Sequence, residues 1–346
     1  MRCVSEITLR QTNRGGRQSI RGRLTCLLCA GAILTTIVPW VSAQSFRPSR
    51  LVEVVVASGP GGGADALARS MVGVIDKEKL LPIRLQVTNK PGGGGSAVAM
   101  NYLAEKKGDA HVLAVFSSTW VTNPLVSAEH TLTHRDLTPI ARLLLEPAVI
   151  VVKADSPFKT LQDFIDAARQ SPGKLRQSGG SVTARDNVIR FVLQKHTGAQ
   201  WSFISFPGGA ERIAALLGGH VDMTMLEPQE AGEHIRSGSL RVLAQVSEKR
   251  LASLASVPTL QEAGFAVPHV PQVRGISGPP AMPSFAVAYW EEFVGRLVQT
   301  PGWKKYLQDN QYEDGFLRSA EFGAFADEYF NRMREILKDA GVKVAR

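Results

Sequence analysis

Apolar positions come in short runs that alternate with helical spacings through most of the chain. Residues 51–57 read as a strand, and Leu67, Met71, Val74 and Ile75 follow at helix spacing. Residues 83–88 read as a second strand, with Met100, Leu103 and Ala104 as the buried stripe of the next helix. Residues 111–116 form a third strand that ends in the polar cluster Ser117, Ser118 and Thr119. This alternation predicts an α/β fold with parallel-rich sheets flanked by helices.

Residues 137–152 are one long apolar stretch broken by Pro139, Arg142 and Pro147, suited to a passage between domains, with a strand core at 148–153. Thr160 with Asp163 predicts a capping box before a helix that buries Leu161, Phe164, Ile165 and Ala168. Residues 177–181 read as a small-residue loop before a helix carrying Val188, Ile189, Val192 and Leu193. A strand at 201–206 leads through Pro207, Gly208 and Gly209 into a helix with Ala210, Ile213, Ala214 and Leu217. Strands follow at 221–226 and 240–246. Six prolines in 258–283 predict irregular chain and a domain return. Two helices close the sequence, one with Ala286, Trp290, Phe293 and Leu297, the other running from Phe322 to Ile336.

Two glycine-rich loops stand out. Ser58-Gly59-Pro60-Gly61-Gly62-Gly63 follows the first strand, and Asn89-Lys90-Pro91-Gly92-Gly93-Gly94-Gly95 follows the second. A strand, a glycine turn and a helix start gather free N–H groups and the positive end of a helix dipole at one point, which suits an anion. One such loop alone is better read as a tight turn. Two, joined by the loops at 177–181 and 207–209, favour a shared anion site at the carboxyl ends of the strands.

The N-terminal segment reads as an export signal. Arg17, Arg21 and Arg23 precede apolar residues 24–38, and Val41-Ser42-Ala43 fits a cut after Ala43. Residues 1–43 hold six arginines against Glu6, so +5 of the net +9 lies there and +4 remains. That mild basic bias is only weak evidence for nucleic acid and is compatible with an anionic small molecule. Cys3, Cys26 and Cys29 all precede the cut, which leaves the expected mature chain no disulfide, thiol nucleophile or thiolate metal site. No later run is apolar enough to span a membrane, so a soluble exported protein is expected.

Residues 59–64 match the dinucleotide pattern G-x-G-x-x-[GA], but Asn89 and Lys90 stand where the ribose-binding acid belongs. No Gly-Lys-Ser/Thr ends either loop, so no phosphate loop is present. Ser96 is outside a G-x-S-x-G elbow. His130 and His134 lack the glutamate of a zinc motif and are expected at the surface. Glu227 and Glu230 lie close together without the marks of a catalytic pair. The expectation is no enzyme, no cofactor and no metal. Asp65 either touches a ligand or stabilises the helix start. Asn123, Thr119 and Ser117 offer neutral hydrogen bonds. Arg274, among prolines, reads equally as a carboxylate clamp or a surface arginine.

The chain resembles the substrate-binding proteins of tripartite tricarboxylate transporters, the TctC or Bug family. The likeness covers essentially all of the sequence after the export signal. It rests on Pro60-Gly61-Gly62-Gly63-Ala64-Asp65 with Ala68-Arg69, and on Asn89-Lys90-Pro91-Gly92-Gly93-Gly94-Gly95. Asp136-Leu137-Thr138-Pro139-Ile140-Ala141, Leu217-Gly218-Gly219-His220-Val221-Asp222 and Val257-Pro258-Thr259-Leu260 follow in order. The resemblance implies a two-lobed, type II periplasmic binding protein that closes on a small carboxylate. Its lobes are expected at 44–145 with 251–346, and at 146–250. It also implies a periplasmic location, a monomer, and a two-component membrane permease as partner. The implied contacts are Ser58, Gly61, Gly62, Asp65, Gly93, Gly94, Ser117, Ser118, Thr119 and Asn123, with Ser181, Arg185, Gly208, Gly209 and Arg274 from the later loops. Two departures bear on ligand identity: residues 181–187 lack the histidine many relatives carry, and Val273 precedes Arg274-Gly275 where relatives have tryptophan. The rival readings are an exported α/β enzyme and a periplasmic carboxylate sensor.

Overall fold

The computed structural model describes residues 46–345 apart from 129, 181, 182 and 207. The export segment, the cut after Ala43, the three cysteines and Ser181 lie outside the described residues.

Among the described residues eleven strands fall into two sheets. The first is built from β1 (Val52–Val56), β2 (Leu85–Asn89), β3 (Val112–Ser117), β4 (Thr138–Glu146), β10 (Gln272–Gly278) and β11 (Glu313–Arg318), in the order β11-β4-β10-β3-β1-β2. The second holds β5 (Ala148–Lys153), β6 (Arg176–Gly179), β7 (Ser202–Ser205), β8 (Met223–Leu226) and β9 (Leu240–Val246), in the order β7-β6-β8-β5-β9. The chain therefore crosses between sheets at Pro147, inside the apolar stretch that suggested such a passage, and returns between β9 and β10. Each sheet, with its helices, makes one lobe.

Both sheets are mixed, with more antiparallel pairing than the β-α alternation predicts. β1 lies parallel to β2 and β3, and β6 parallel to β7 and β8. β5 and β10, which arrive from the other sheet, run antiparallel to both of their neighbours, and β11 runs antiparallel to β4. The reason is topological: a strand that arrives from the other sheet needs no helical crossover and can enter in either direction.

The helices are α1 (Gly63–Lys77), α2 (Gly93–Glu105), α3 (Thr119–Val126), α4 (Leu161–Gln170), α5 (Arg185–Thr197), α6 (Gly209–Leu217), α7 (Pro228–Arg236), α8 (Ser284–Leu297), α9 (Pro301–Asn310) and α10 (Ser319–Asp339). At α4 the expected capping box forms. Thr160 Oγ1 accepts the Asp163 N–H at 3.1 Å, and Asp163 Oδ2 accepts the Thr160 N–H at 2.9 Å. All four expected core residues of that helix are buried.

Four expectations fail for identifiable reasons. Residues 176–179 are an inner strand, not a loop, because the buried Gln177 is satisfied by the Trp201 indole N–H at 2.8 Å and the Asp186 carbonyl at 3.1 Å. The proline-rich return contains β10, whose prolines all lie outside the strand itself. The α6 stripe is rotated: Arg212, Ile213, Ala215 and Leu216 face inward, whereas Ala210 and Ala214 are exposed. Arg212 turns in because it donates to the Met225 carbonyl at 2.9 Å. Finally, α9 and β11 separate the two closing helices, with only Trp303 and Leu307 of α9 buried.

One buried cluster runs through both lobes, joining Phe116, Trp120 and Tyr329 with Ile150, Phe164 and Met225. Two further clusters back the outer faces of the sheets. α10 packs on β4 and also on α5, so it touches both lobes. Beneath it β10 is tight. A Cβ on Gly275 would lie 2.7 Å from the Ala141 carbonyl oxygen and 2.8 Å from the Phe322 ring. Gly275→Ala should cost about 1–3 kcal/mol by overpacking, read as a lower urea midpoint; an unchanged midpoint would contradict this seat for β10.

Candidate functional site

Because β1, β2 and β3 are parallel neighbours, their carboxyl ends share one edge of the first sheet. The loops that leave this edge are the two glycine runs and the Ser117–Ser118 turn. The N-caps of α1 and α2 are Gly62 and Gly92, and neither has a side-chain cap. Their first-turn N–H groups therefore lack intrahelical partners, and both helix dipoles end at the same edge. Gly61 has φ +81° and Gly92 φ +116°, conformations open to glycine and strained for other residues.

The two loops are stitched together from beneath. Asp65 Oδ2 accepts the Gly61 N–H at 2.9 Å. Arg69 Nε donates to both Asp65 oxygens at 3.0 and 2.9 Å. Asn89 Nδ2 donates to Asp65 Oδ1 and to the Ser58 carbonyl, both at 2.9 Å. The bonds from Arg69 outweigh burial and hold the Asp65 carboxyl at about 2. Asp65 is 2% exposed and fully engaged, so it builds the first loop rather than facing a ligand.

Arg274 sits opposite Ser117 in the β10–β3 register. Its Nε and Nη2 grip the Glu146 carboxylate at 2.9 and 2.8 Å, and Nη1 donates to Ser117 Oγ at 3.1 Å. Nη2 is also 2.9 Å from where a Cβ on Gly63 would be, so the guanidinium lies against the start of α1. Thr119 Oγ1 and Gln272 Nε2 each approach Ser117 Oγ at 3.2 Å. Glu146 is the last residue of β4, and its carbonyl accepts Arg185 Nη1 at 2.7 Å. Arg185 Nη2 in turn donates to Glu227 Oε1 at 2.8 Å. Gly63, Arg274, Glu146, Arg185 and Glu227 thus form one rail from the first lobe into the second.

The rail engages both arginines expected to contact the ligand, Arg274 and Arg185, and Arg274 is not a surface arginine. Both guanidinium groups are nearly enclosed, at 11% and 4% side-chain exposure, and a buried cation requires a counter-charge. Two other expected contacts are also committed. Ser118 Oγ accepts the Val273 N–H at 2.7 Å, fixing β3 to the return strand. Asn123 is buried, and its Oδ1 accepts Thr183 Oγ1 at 2.7 Å from the second lobe. His130 and His134 are buried rather than at the surface, with His130 Nε2 3.0 Å from Ser96 Oγ and His134 Nε2 3.0 Å from Asp327 Oδ1. Burial lowers the His134 pKa despite that carboxylate.

In the second lobe β6, β7 and β8 present another carboxyl-end edge, bearing the starts of α5, α6 and α7. Here the protein's own carboxyl groups occupy the loops. Asp186 Oδ2 accepts the Gly180 N–H at 2.8 Å. A Cβ on Gly209 would lie 2.4 Å from Glu230 Oε1, so that carboxyl group packs directly on the glycine. Gly208 supplies the α6 N-cap, and its carbonyl is 3.4 Å from Arg212 Nε. Gly208 and Gly209 therefore stand apart from Gly61, Gly62, Gly93 and Gly94, which share the first-lobe edge.

The sequence reading gave no role to Glu146 or Arg212, and named Asn89 and Arg69 only within motifs, without a place in the site. A signal existed for Glu146, the lone acid within an apolar stretch of sixteen residues at 137–152. Arg212 carried none, because a mid-helix arginine ordinarily faces solvent. Among the described residues no group of three or more His, Cys, Asp or Glu is arranged to hold a metal ion, and no helix is long and apolar enough to cross a membrane. A cavity of about 450 Å³ between α5 and α10, lined by Phe191, Val267 and Ile336, shares no residue with this site.

Comparison with known proteins gives one family match, over residues 74–342, to the model described as tripartite tricarboxylate transporter family receptor, TctC. The UPF0065 protein of the gbd 5′ region in Cupriavidus necator is 29% identical over 300 residues, covering 86% of this chain and 90% of that protein. A ligand-free TctC solute-binding protein from Polaromonas superposes with a TM-score of 0.71 at 27% identity, covering 85% of this chain and 99% of that one. R. palustris Rpa4515 with adipate gives 0.77 at 22% identity, covering 86% and 99%.

Two measurements test this geometry. Arg274→Gln leaves Glu146 buried without its partner and should lower stability by about 3–5 kcal/mol. Adding Glu146→Gln should recover most of that in urea denaturation, and equal losses in the single and double variants would contradict the pairing. Asp65 titrates lower in the folded state than its ordinary 3.8, so its contribution is complete above pH 4 and disappears as pH falls towards about 2. Asp65→Asn should therefore cost about 1–2 kcal/mol at neutral pH, allowing for the half-exposed Arg69. The difference from wild type should close between pH 4 and pH 2 in denaturation curves; a constant difference would show that the charge is not what matters.

Proposed function

The chain belongs to the tripartite tricarboxylate transporter family of receptors, and on that premise we propose that it captures a small organic carboxylate between its lobes. One observation carries the reading: two uncapped helix starts meet at one sheet edge, held in register by Asp65, Arg69 and Asn89. N–H groups so fixed satisfy a carboxylate without reorganising, and their neutrality lets the anion arrive without displacing a bound counter-ion. Ser117, whose Oγ accepts from Thr119 and Arg274, extends the donor set with its own hydroxyl proton, and Arg274 supplies positive potential from behind while staying paired with Glu146.

Residues 46–145 with 251–345 form one jaw of this receptor, and 146–250 form the other. Binding shifts the population towards the closed form because the ligand meets both jaws only there. The receptor works in the periplasm after removal of residues 1–43, and hands its cargo to a two-component membrane permease. No chemical step is assigned to it.

A thermal-shift screen of organic acids should raise the melting temperature for a subset of them. At a hundredfold excess over the dissociation constant the bound form gains about 2.7 kcal/mol. Gly62→Val puts a branched side chain beside the α1 start, where even a Cβ would lie 2.9 Å from the Ser58 Cβ. It should remove the shift while circular dichroism stays native. Wild-type affinity in that variant, measured by calorimetry, would falsify the helix-start site.

A further inference from the structure

Four buried polar side chains lead from the second glycine loop into the second lobe. Ser96 lies near the start of α2, and its Oγ is 3.0 Å from His130 Nε2. Asn123 Nδ2, on α3, donates to the same oxygen at 3.3 Å. The far end of that amide, Oδ1, accepts Thr183 Oγ1 at 2.7 Å. Thr183 belongs to the second lobe, just ahead of Ala184, the N-cap of α5.

The start of α5 is thus tied to the first lobe twice, and the two ties respond differently to opening. Arg185 reaches the Glu146 carbonyl at 2.7 Å, beside the crossing at Pro147, where a rotation of the lobes moves atoms little. Asn123 lies on a helix between β3 and β4, inside the first lobe, so opening draws it off Thr183. In the open form both groups turn to water. The closed form therefore gains the net worth of one buried hydrogen bond, with or without cargo.

Resting on the receptor reading above, we propose that Asn123 is the positioning residue of closure, and that its bond to Thr183 latches the second lobe over the carboxylate site. A planar amide serves two neighbours only when both of its ends are aimed at once. Ser96 takes the NH2 group and so turns Oδ1 towards Thr183. An anion on the α2 start steadies the turn that carries Ser96, and through it the amide, so binding and latching favour each other. Asn123 thus acts on affinity through Thr183 rather than by a bond to the cargo.

Thr183→Val keeps the shape and removes the hydroxyl, whereas Thr183→Ser keeps the hydroxyl. Surface plasmon resonance with succinate, citrate, adipate and benzoate as probes measures the binding rates of each. Small-angle X-ray scattering measures the radius of gyration without any acid. For the acid that binds best, Thr183→Val should release it about tenfold faster with no loss in association rate, as removal of one net hydrogen bond from the closed form requires. Its ligand-free radius of gyration should exceed that of wild type, and Thr183→Ser should restore both values. Ser96→Ala added to Thr183→Val should speed release no further, because Ser96 acts on the latch through Asn123. A wild-type release rate in Thr183→Val overturns the latch and leaves the receptor reading standing. Additive effects of Ser96→Ala and Thr183→Val overturn the relay through Asn123. Binding of none of the four acids overturns the receptor reading, and this inference with it.

Discussion

The architecture turns on Glu146, the residue at which the chain leaves one sheet for the other. Its carboxylate takes two bonds from Arg274, and its carbonyl takes one from Arg185. One residue therefore ties the return strand of the first lobe to a helix start of the second. A buried pair of this kind adds little net stability over apolar packing, because desolvation offsets most of the Coulomb gain. Its value is positional: losing either partner strands a charge, so the strand ends, the helix start and the crossing are held in one arrangement.

On the proposed carboxylate reading, that constraint leaves the arginines to act on the cleft indirectly. In a cleft that closes, an unpaired guanidinium would be desolvated at every closure, with or without cargo. Pairing removes this cost and still leaves Arg274 beside the α1 start, where its field acts on whatever the free N–H groups hold. The helix starts are the better anion donors, being fixed, neutral and already oriented.

The two lobes use the same device to different ends. Each presents the carboxyl ends of three parallel strands with glycine loops and helix starts. In the first lobe Asp65 turns inward to brace the loop from below, and the N–H groups beyond it stay open. In the second, Asp186 and Glu230 sit on the loops themselves. Equivalent folding thus produces one edge whose helix-start N–H groups stay open and another whose loops carry the chain's own carboxyl groups.

Local chemistry made much of this readable from sequence. The glycine runs, the Thr160–Asp163 box and the apolar stretch interrupted at Pro147 each dictate a backbone event within a few residues, so propensity and spacing suffice for them. The first-lobe site belongs to this class, because helix starts after parallel strands are built from adjacent sequence. What sequence left undecided depends on partners far along the chain. Gln177 and Ser178 look like loop residues until β7 and β8 flank them, and Gln272–Gly278 looks like return chain until β3 and β4 enclose it. Arg274 meets Glu146 across 128 positions, Arg185 meets Glu227 across 42, and Thr183 meets Asn123 across 60. Whether an arginine is a free clamp or half of a pair is set by burial and by which acid the topology delivers to it, and only the tertiary structure decides that.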